Sequence, residues 1–595
     1  MYLEKIDSPA DVRAIPASEL GALADEIRGA LIDKLSVHGG HVGPNLGMVE
    51  TTIALHRVFD SPSDKLVFDV SHQTYVHKML TGRAFAFTDP ARYDEVSGYS
   101  EPGESVHDHF VIGHTSTSVS LACGLAKGRD LVGDTYNVVA VIGDGSLSGG
   151  EAFEGLDWAA ELGTNLIIIV NDNEMSIAEN HGGLYASLAE LRATNGESPN
   201  NYFRALGLDY RYIEDGNDEQ TVEAALSKVR GIDHPVVVHI HTEKGHGYAP
   251  AVQNKERFHW DGWFDKATGE SLLPTDGEPD YSELTYQVLS ARMEADPRIV
   301  AISSATPIIM GFTPARRAAA GKQFVDVGIA EEHAVALASG IAAAGGTPVY
   351  GFYGTFIQRG FDQLMQDLCV NGNPAVLLSF ADSARNMNDV THLGIFDIPE
   401  FNAIPGLTYL APTCKQEYLA MLEWAIDYRE GPVAIRVPGA GVVSREGVAL
   451  GKAGAAATEG AGPAWPLTPE IVSRGADVAI LGLGCAFPIA QEAAAALEAE
   501  GVGVTLVNPR VASGLDETFV EELAGSHKAI VTVEDGQLEG GFGEKVARQA
   551  GPYGIRVRCL GIPRGYYDRY DPAELMASCS LTPEGVAAAA KELLA

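Results

Sequence analysis

Positive charge is scarce in this chain. Its 42 lysines and arginines stand against 80 aspartates and glutamates, a formal net charge of −38 over 595 residues. No basic face for a polyanion is expected, and nucleic acid is excluded as a partner. Small anionic substrates remain open, because a local arginine cluster can oppose the global charge. Cysteine is also sparse. Its six copies (Cys123, Cys369, Cys414, Cys485, Cys559, Cys579) are scattered with no CxxC, which argues against a zinc site or a disulfide framework and for a reducing, cytoplasmic setting. The N-terminus, Met1-Tyr-Leu-Glu-Lys-Ile-Asp7, lacks a signal-peptide pattern. The longest apolar tract, around Ala334–Gly346, is too short and too rich in Ala and Gly to span a bilayer, so no membrane partner is expected. What is plentiful is ordinary globular composition, with 46% hydrophobic residues and a mean hydropathy of zero. A chain this long exceeds one core and implies several domains.

Residues from about 18 to 60 read as helix, Gly-rich loop, helix. Beyond them, β-branched runs alternate with helical stretches: Leu66–Val70, Val138–Ile142, Leu166–Val170 and Val236–Ile240. That alternation predicts βαβ units and a parallel sheet. A loop without strong period spans about 250–280, and a helix opens near Tyr281. A second series has strands near Ile299–Ser303, Thr347–Phe352 and Ala375–Phe380, and a third near Val478–Leu483, Val504–Val507, Ala529–Val533 and Arg556–Cys559. The expected fold is three consecutive α/β domains with mostly parallel sheets, over residues 1–278, 279–446 and 447–595, with 447–470 as a linker.

Chemistry enters with two turns. Gly143-Asp144-Gly145 ends one apolar run, and Asn171-Asp172-Asn173 ends the next. Asp144 and Asn173 can then meet at the carboxyl ends of neighbouring parallel strands, where open α/β sheets bind ligands. One carboxylate, one amide and a glycine-flanked turn suit Mg²⁺ carrying a diphosphate, because Mg²⁺ takes few protein ligands and fills its octahedron with phosphate and water. Taken singly, each residue would read as a helix cap; the pair at this spacing favours the metal.

Three such domains, with these two turns in the first, resemble the transketolase-like thiamine diphosphate enzymes. Within that group the chain looks most similar to the 1-deoxy-D-xylulose-5-phosphate synthases. The strings that carry the likeness are Gly39–Gly47, Asp69–Gly82, Gly113–Ser118, Glu174–Glu179, Lys244–Pro250 and Asp326–His333. The resemblance implies thiamine diphosphate and Mg²⁺ as cofactors, with Asp144, Asn173 and the Met175 carbonyl on the metal. It places Gly143, Gly145, Ser146, Gly113, His114, Thr115, His72 and Lys244 around the diphosphate. Glu331 would be the carboxyl that hydrogen-bonds the aminopyrimidine ring, with Phe356 stacked on that ring. His41, His259, His392 and Tyr353 would orient the donor and move protons, as imidazoles with pKa near neutrality can. Arg359, Arg385, Asn388 and Asp389 fall to the substrate. The implied reaction is decarboxylation of pyruvate with transfer of a two-carbon unit to an aldehyde, in a homodimer. Ketol transfer of the transketolase type stays open, and so does the arrangement of the domains. A non-catalytic cofactor-binding relic would call for erosion of Asp144, Asn173 or Glu331, and all three are present.

The acceptor segments depart from the pattern. Where the synthases carry Asp-Arg-Ala-Gly, this chain has Phe380-Ala-Asp-Ser-Ala-Arg385. Where they carry Tyr-Pro-Arg-Gly, it has Arg436-Val-Pro-Gly-Ala440, so that Gly439 replaces an arginine. No basic residue stands near Pro102, and the stretch between Met175 and Lys244 is short. Two missing charge-assisted hydrogen bonds would weaken phosphate binding by about 3–6 kcal/mol, unless Arg385, Arg436 or Arg510 moves in. A different or non-phosphorylated aldehyde is the resulting expectation.

Overall fold

The computed structural model describes residues 1–274, 277–439, 441–448, 450 and 465–595. The chain forms two compact units, Met1–Gly277 with Gly328–Ala330, and Glu278–Val327 with Glu331–Ala595.

The first unit is built on a parallel sheet of five strands: β1 (Lys65–Phe68), β2 (Val138–Gly143), β3 (Leu166–Asp172), β4 (Asp209–Ile213) and β5 (Pro235–His241), ordered β1-β2-β3-β5-β4. β2 and β3 are buried almost throughout, so both faces must be apolar and their sequences read as continuous β-branched runs. Leu20–His38 forms the first long helix and stops at Gly39, whose φ of 81° suits glycine alone. The expected first strand, Leu66–Val70, ends two residues early. Asp69 leaves the sheet to accept the Ser116 and Ser118 amides at 2.8 and 2.9 Å. Val70 and Ser71 follow with φ of 56° and 66°. Positive φ in a β-branched residue costs roughly 1–3 kcal/mol and persists only where the surroundings impose it. Here they reverse the chain and deliver His72.

The second unit holds two sheets. One has six parallel strands, β6 (Ile299–Ser303), β7 (Phe324–Asp326), β8 (Thr347–Tyr353), β9 (Val376–Phe380), β10 (Thr408–Leu410) and β11 (Val433–Arg436), ordered β10-β11-β9-β8-β6-β7. The other contains β12 (Glu470–Ser473), β13 (Val478–Gly482), β14 (Val504–Asn508), β15 (Ala529–Gln537) and β16 (Arg556–Ile562), ordered β12-β14-β13-β15-β16, with β12 alone antiparallel. Apolar residues of both sheets share one buried cluster, including Phe352, Leu377, Leu481 and Val507. Most of the expected linker, 451–464, lies outside the described residues, and Glu470 already opens β12. Among the described residues, no helix is long and apolar enough to cross a membrane.

Candidate active site

In the first unit, β2 and β3 pair with Gly143 beside Asn171, and the Asp144 amide donates to the Asn171 carbonyl at 3.0 Å. The two turns therefore lie side by side at the carboxyl end of the sheet. Asp144 is 1% exposed. One carboxylate oxygen accepts the Asn180 amide at 2.6 Å, and the other has no hydrogen-bond partner. Burial, reinforced by the nearby Asp172 carboxylate, pushes the Asp144 pKa up to about 8. A buried carboxylate oxygen without a partner is costly unless a proton or a cation occupies it. Beside it, the Asn173 side-chain oxygen accepts the Met175 amide at 3.2 Å, and Met175 bridges to Glu179. Among the described residues no group of three His, Cys, Asp or Glu could hold a metal. The available donor set is one carboxylate, one amide oxygen and one backbone carbonyl, which fits an ion that completes its shell from phosphate and water.

The turn is shaped for close approach. A Cβ on Gly145 would lie 2.6 Å from Ser176 Cβ, and one on Gly149 would lie 2.1 Å from Ser116 Oγ. Gly143 carries no such constraint. Ser116 Oγ donates to the Ser146 carbonyl at 2.8 Å and ties the Gly113–Ser118 loop to the Gly145–Ser148 turn. Gly113 is buried, while His114 and Thr115 are half-buried in that loop. Beside the Asn171–Asn173 turn sits a group that the sequence reading missed. Asp172 is held by Arg192 at 2.5 Å and His239 at 2.9 Å, and His239 meets the Tyr210 hydroxyl at 2.8 Å. The visible signal was His239, a polar residue inside the apolar run of β5.

Three of the expected histidines converge. The ring centroids of His41 and His72 are 4.9 Å apart, those of His72 and His259 5.1 Å, and those of His41 and His259 5.7 Å. Lys244, immediately beyond β5 and 1% exposed, donates to the Ser176 carbonyl at 2.5 Å and lies 3.2 Å from His259 Nδ1. Its burial lowers its pKa to about 7. Tyr99, which the sequence reading did not single out, packs its ring 5.9 Å from His41.

In the second unit, Glu331 opens the helix Glu331–Ala343 and is buried. Its Oε2 accepts no hydrogen bond, and the nearest guanidinium nitrogen of Arg359 stands 3.6 Å away. Burial pushes its pKa up to about 7 against the opposing pull of Arg359. Phe356 lies between Tyr353 and His392, with ring centroids 5.5 Å from each. Asp389 Oδ1 accepts the Thr391 amide at 3.0 Å and the Thr391 hydroxyl at 2.5 Å, and lies 3.2 Å from His392 Nδ1. Glu331 with Arg359, and Tyr353, Phe356, His392 and Asp389, thus form two local groups.

Two expected substrate residues sit elsewhere. Arg385 is exposed, and its Nε donates to Met576 Sδ at 3.1 Å, which turns it toward the helix Pro572–Ser578. Asn388 is exposed and donates to the Tyr570 carbonyl at 2.9 Å. Both are drawn off by partners remote in sequence. Arg436 and Arg510, the other candidates to replace missing cations, are buried against carboxylates. Arg436 Nε reaches Asp397 at 2.7 Å and NH1 reaches Asp535, while Arg510 Nε reaches Glu417 at 2.9 Å. A Cβ on Gly439 would lie 2.7 Å from the Asp382 carbonyl, so no larger residue fits there. Asp382 itself escaped the sequence reading. It is buried with neither carboxylate oxygen hydrogen-bonded, and burial together with Asp397 drives its pKa well above the ordinary range.

Three family models match the chain: 1-deoxy-D-xylulose-5-phosphate synthase over residues 3–198, the transketolase pyrimidine-binding domain over 277–441 and the transketolase C-terminal domain over 468–586. Similar proteins include a 1-deoxy-D-xylulose-5-phosphate synthase of Symbiobacterium thermophilum, 38% identical over 632 residues and covering 100% of this chain and 95% of the relative. The 1-deoxy-D-xylulose-5-phosphate synthase 1 of Geobacter sulfurreducens is 38% identical over 633 residues, covering 100% and 97%.

Proposed function

The chain belongs to the 1-deoxy-D-xylulose-5-phosphate synthase family, and from that membership we propose that it decarboxylates pyruvate and transfers the two-carbon unit to an aldehyde, with thiamine diphosphate and Mg²⁺ as cofactors. The observation that carries this reading is the open, buried oxygen of Asp144 beside the Asn173 amide at adjoining strand ends. Bound thiamine diphosphate supplies a nucleophilic carbon and an electron sink. The protein binds, orients and moves protons around it.

Asp144, Asn173 and the Met175 carbonyl take the Mg²⁺. Lys244, His72, Gly113, His114, Thr115, Gly143, Gly145 and Ser146 hold the diphosphate. Glu331, with a pKa near 7, keeps its proton over part of the neutral range and would donate it in a hydrogen bond to the aminopyrimidine ring, with Phe356 as the aromatic that would pack on that ring. Asp389 accepts a hydrogen bond from the Nδ1–H of His392, which leaves Nε2 to take a proton from substrate or return it. His41, His259, Tyr353 and Arg359 orient the donor and acceptor. The chain works as a homodimer, with its three α/β segments divided near 278 and 446. Light scattering checks the dimer.

The acceptor is a second question. With Arg436 and Arg510 committed to buried carboxylates, Arg385 exposed and Gly439 closed to a longer side chain, the cations available to a phosphate are few. This favours an aldehyde without phosphate over glyceraldehyde 3-phosphate. The test supplies pyruvate, thiamine diphosphate and Mg²⁺ with matched phosphorylated and non-phosphorylated aldehydes, and follows CO₂ release and product mass. Absence of CO₂ release with every acceptor overturns the decarboxylation. Transfer from ketose sugars instead would identify a transketolase. Preferential consumption of glyceraldehyde 3-phosphate would overturn the acceptor reading alone.

A further inference from the structure

We propose that Lys244 is a positioning residue that sets the tautomer of His259, so that His259 serves as a neutral imidazole donating through Nε2–H. The donor role rests on the function proposed above; the tautomer does not.

The argument starts from how Lys244 is threaded. Its stem passes close to the Gly43–Leu46 helical turn, where a side chain at Gly43 would be tight. A Cβ on Gly43 would lie 3.3 Å from Lys244 Cγ and 3.0 Å from the Phe258 carbonyl, and one on Gly47 would lie 3.4 Å from Lys244 Cα. Packed this way, Nζ has little freedom and ends at two groups, the Ser176 carbonyl at 2.5 Å and His259 Nδ1 at 3.2 Å. A lysine ammonium donates hydrogen bonds and accepts none. Below about pH 7, where Lys244 holds its charge, Nδ1 must therefore accept, and the single ring proton of neutral His259 resides on Nε2.

The surroundings also oppose a second proton. His259 occupies the 3₁₀ turn Arg257–His259, with the buried Phe258 as its anchor. The groups facing the ring are Lys244 from beyond β5, His72 from beyond β1 and His41 from the loop after Leu20–His38. All three are cationic or become so on protonation. Burial first, then Lys244, His72 and His41, hold the His259 pKa well below its ordinary value. Nε2 makes no hydrogen bond among the described residues, so its N–H is open to a substrate oxygen.

His392 has the opposite partner. A carboxylate, Asp389, stands at its Nδ1, so Nδ1 carries the proton and Nε2 is the basic atom. The two histidines are thereby specialised by what lies behind them. A lysine makes one a fixed hydrogen-bond donor, suited to polarising a carbonyl or holding an alkoxide. A carboxylate makes the other a proton acceptor and carrier.

The test reads the ring nitrogens directly. Cofactor-free protein labelled with ¹⁵N-histidine is examined by long-range ¹H–¹⁵N correlation, with His259 assigned by the signals that vanish in His259→Asn. The wild-type chain is expected to show the neutral Nε2–H pattern, unchanged from about pH 6.5 down to about pH 5, where Lys244 is charged. In Lys244→Met, whose side chain fills similar space without charge, Nδ1 loses its donor, and the His259 ring is expected to show a mixture of Nδ1–H and Nε2–H forms within that range. The Nδ1–H fraction should rise at least about tenfold over wild type. Lys244→Arg, which keeps a cationic donor, should restore the wild-type pattern. An Nδ1–H or doubly protonated wild-type ring at about pH 6 overturns the proposal, and so does a Lys244→Met spectrum identical to wild type. The wild-type spectrum needs no variant to fold and no turnover. A chain that fails to decarboxylate pyruvate but shows the Nε2–H pattern refutes the proposed function and leaves this assignment standing.

Discussion

Replacing Glu331 by glutamine separates the energetics of this carboxyl from its chemistry. In the folded chain its pKa stands at about 7 against an ordinary 4.5, raised by burial. The folded state thus holds the proton more tightly than the unfolded one, and stability must fall as pH rises between those values. The contribution is complete below the lower value, declines through the interval and is fully lost above the upper one. A shift of about 2.5 units corresponds to about 3 kcal/mol. Of this, about 1 kcal/mol is already lost near pH 5.5 and about 3 kcal/mol near pH 8.5. Glutamine does not ionise, so the stability difference between Glu331→Gln and wild type should move in favour of the variant by about 2 kcal/mol between those conditions. Any pH-independent cost of losing the Arg359 contact cancels in that comparison. For a unit of this size the change is roughly 3 °C in melting temperature, readable by scanning calorimetry of cofactor-free protein. Turnover in the same variant should fall by about 100-fold or more. An equal melting difference at both pH values would refute the claim that Glu331 is a desolvated acid. Unimpaired turnover would remove it from the mechanism.

Three further outcomes are expected. Asp144→Asn should abolish the dependence of thiamine diphosphate binding on Mg²⁺, measured by titration calorimetry with and without the ion; a Mg²⁺-dependent affinity equal to wild type would contradict the assigned ligand. Gly149→Ala, whose Cβ would fall 2.1 Å from Ser116 Oγ, should lose about 1–3 kcal/mol of stability as the Ser116–Ser146 link is pushed apart; denaturant unfolding reads the loss. Arg436→Met leaves the Asp397 and Asp535 carboxylates without their shared cation and should destabilise the second unit by about 3–5 kcal/mol; urea unfolding with a wild-type midpoint would show that the pair is dispensable.

The sequence disclosed central strands better than edge strands, for a physical reason. β2, β3 and β9 are buried on both faces and must be apolar throughout. β4 and β12 lie at sheet edges with mixed burial, so polar residues interrupt their pattern, and neither was anticipated. Asp144, Asn173 and Glu331 were legible because short local strings fix their surroundings. The directions of Arg385 and Asn388 were not, since Met576 and the Tyr570 carbonyl, nearly two hundred residues away in sequence, decide them. The same holds for Arg436. Its sequence context gives no sign that it is enclosed between two carboxylates and closed to a ligand.

That enclosure bears on how the chain can evolve. Arg436 lies on β11 and Asp535 on β15, in different sheets, and Asp535 also accepts the Ser383 hydroxyl at 2.6 Å, in the turn that follows β9. The last sheet carries none of the residues assigned to the chemistry, yet one of its side chains fixes a turn of the sheet that carries several. It cannot be exchanged as a module for the equivalent layer of a distant relative. Asp397, Ser383, Arg436 and Asp535 would have to change in concert, and a hybrid that matched the fold while missing this quartet would inherit an unpaired charge at the seam.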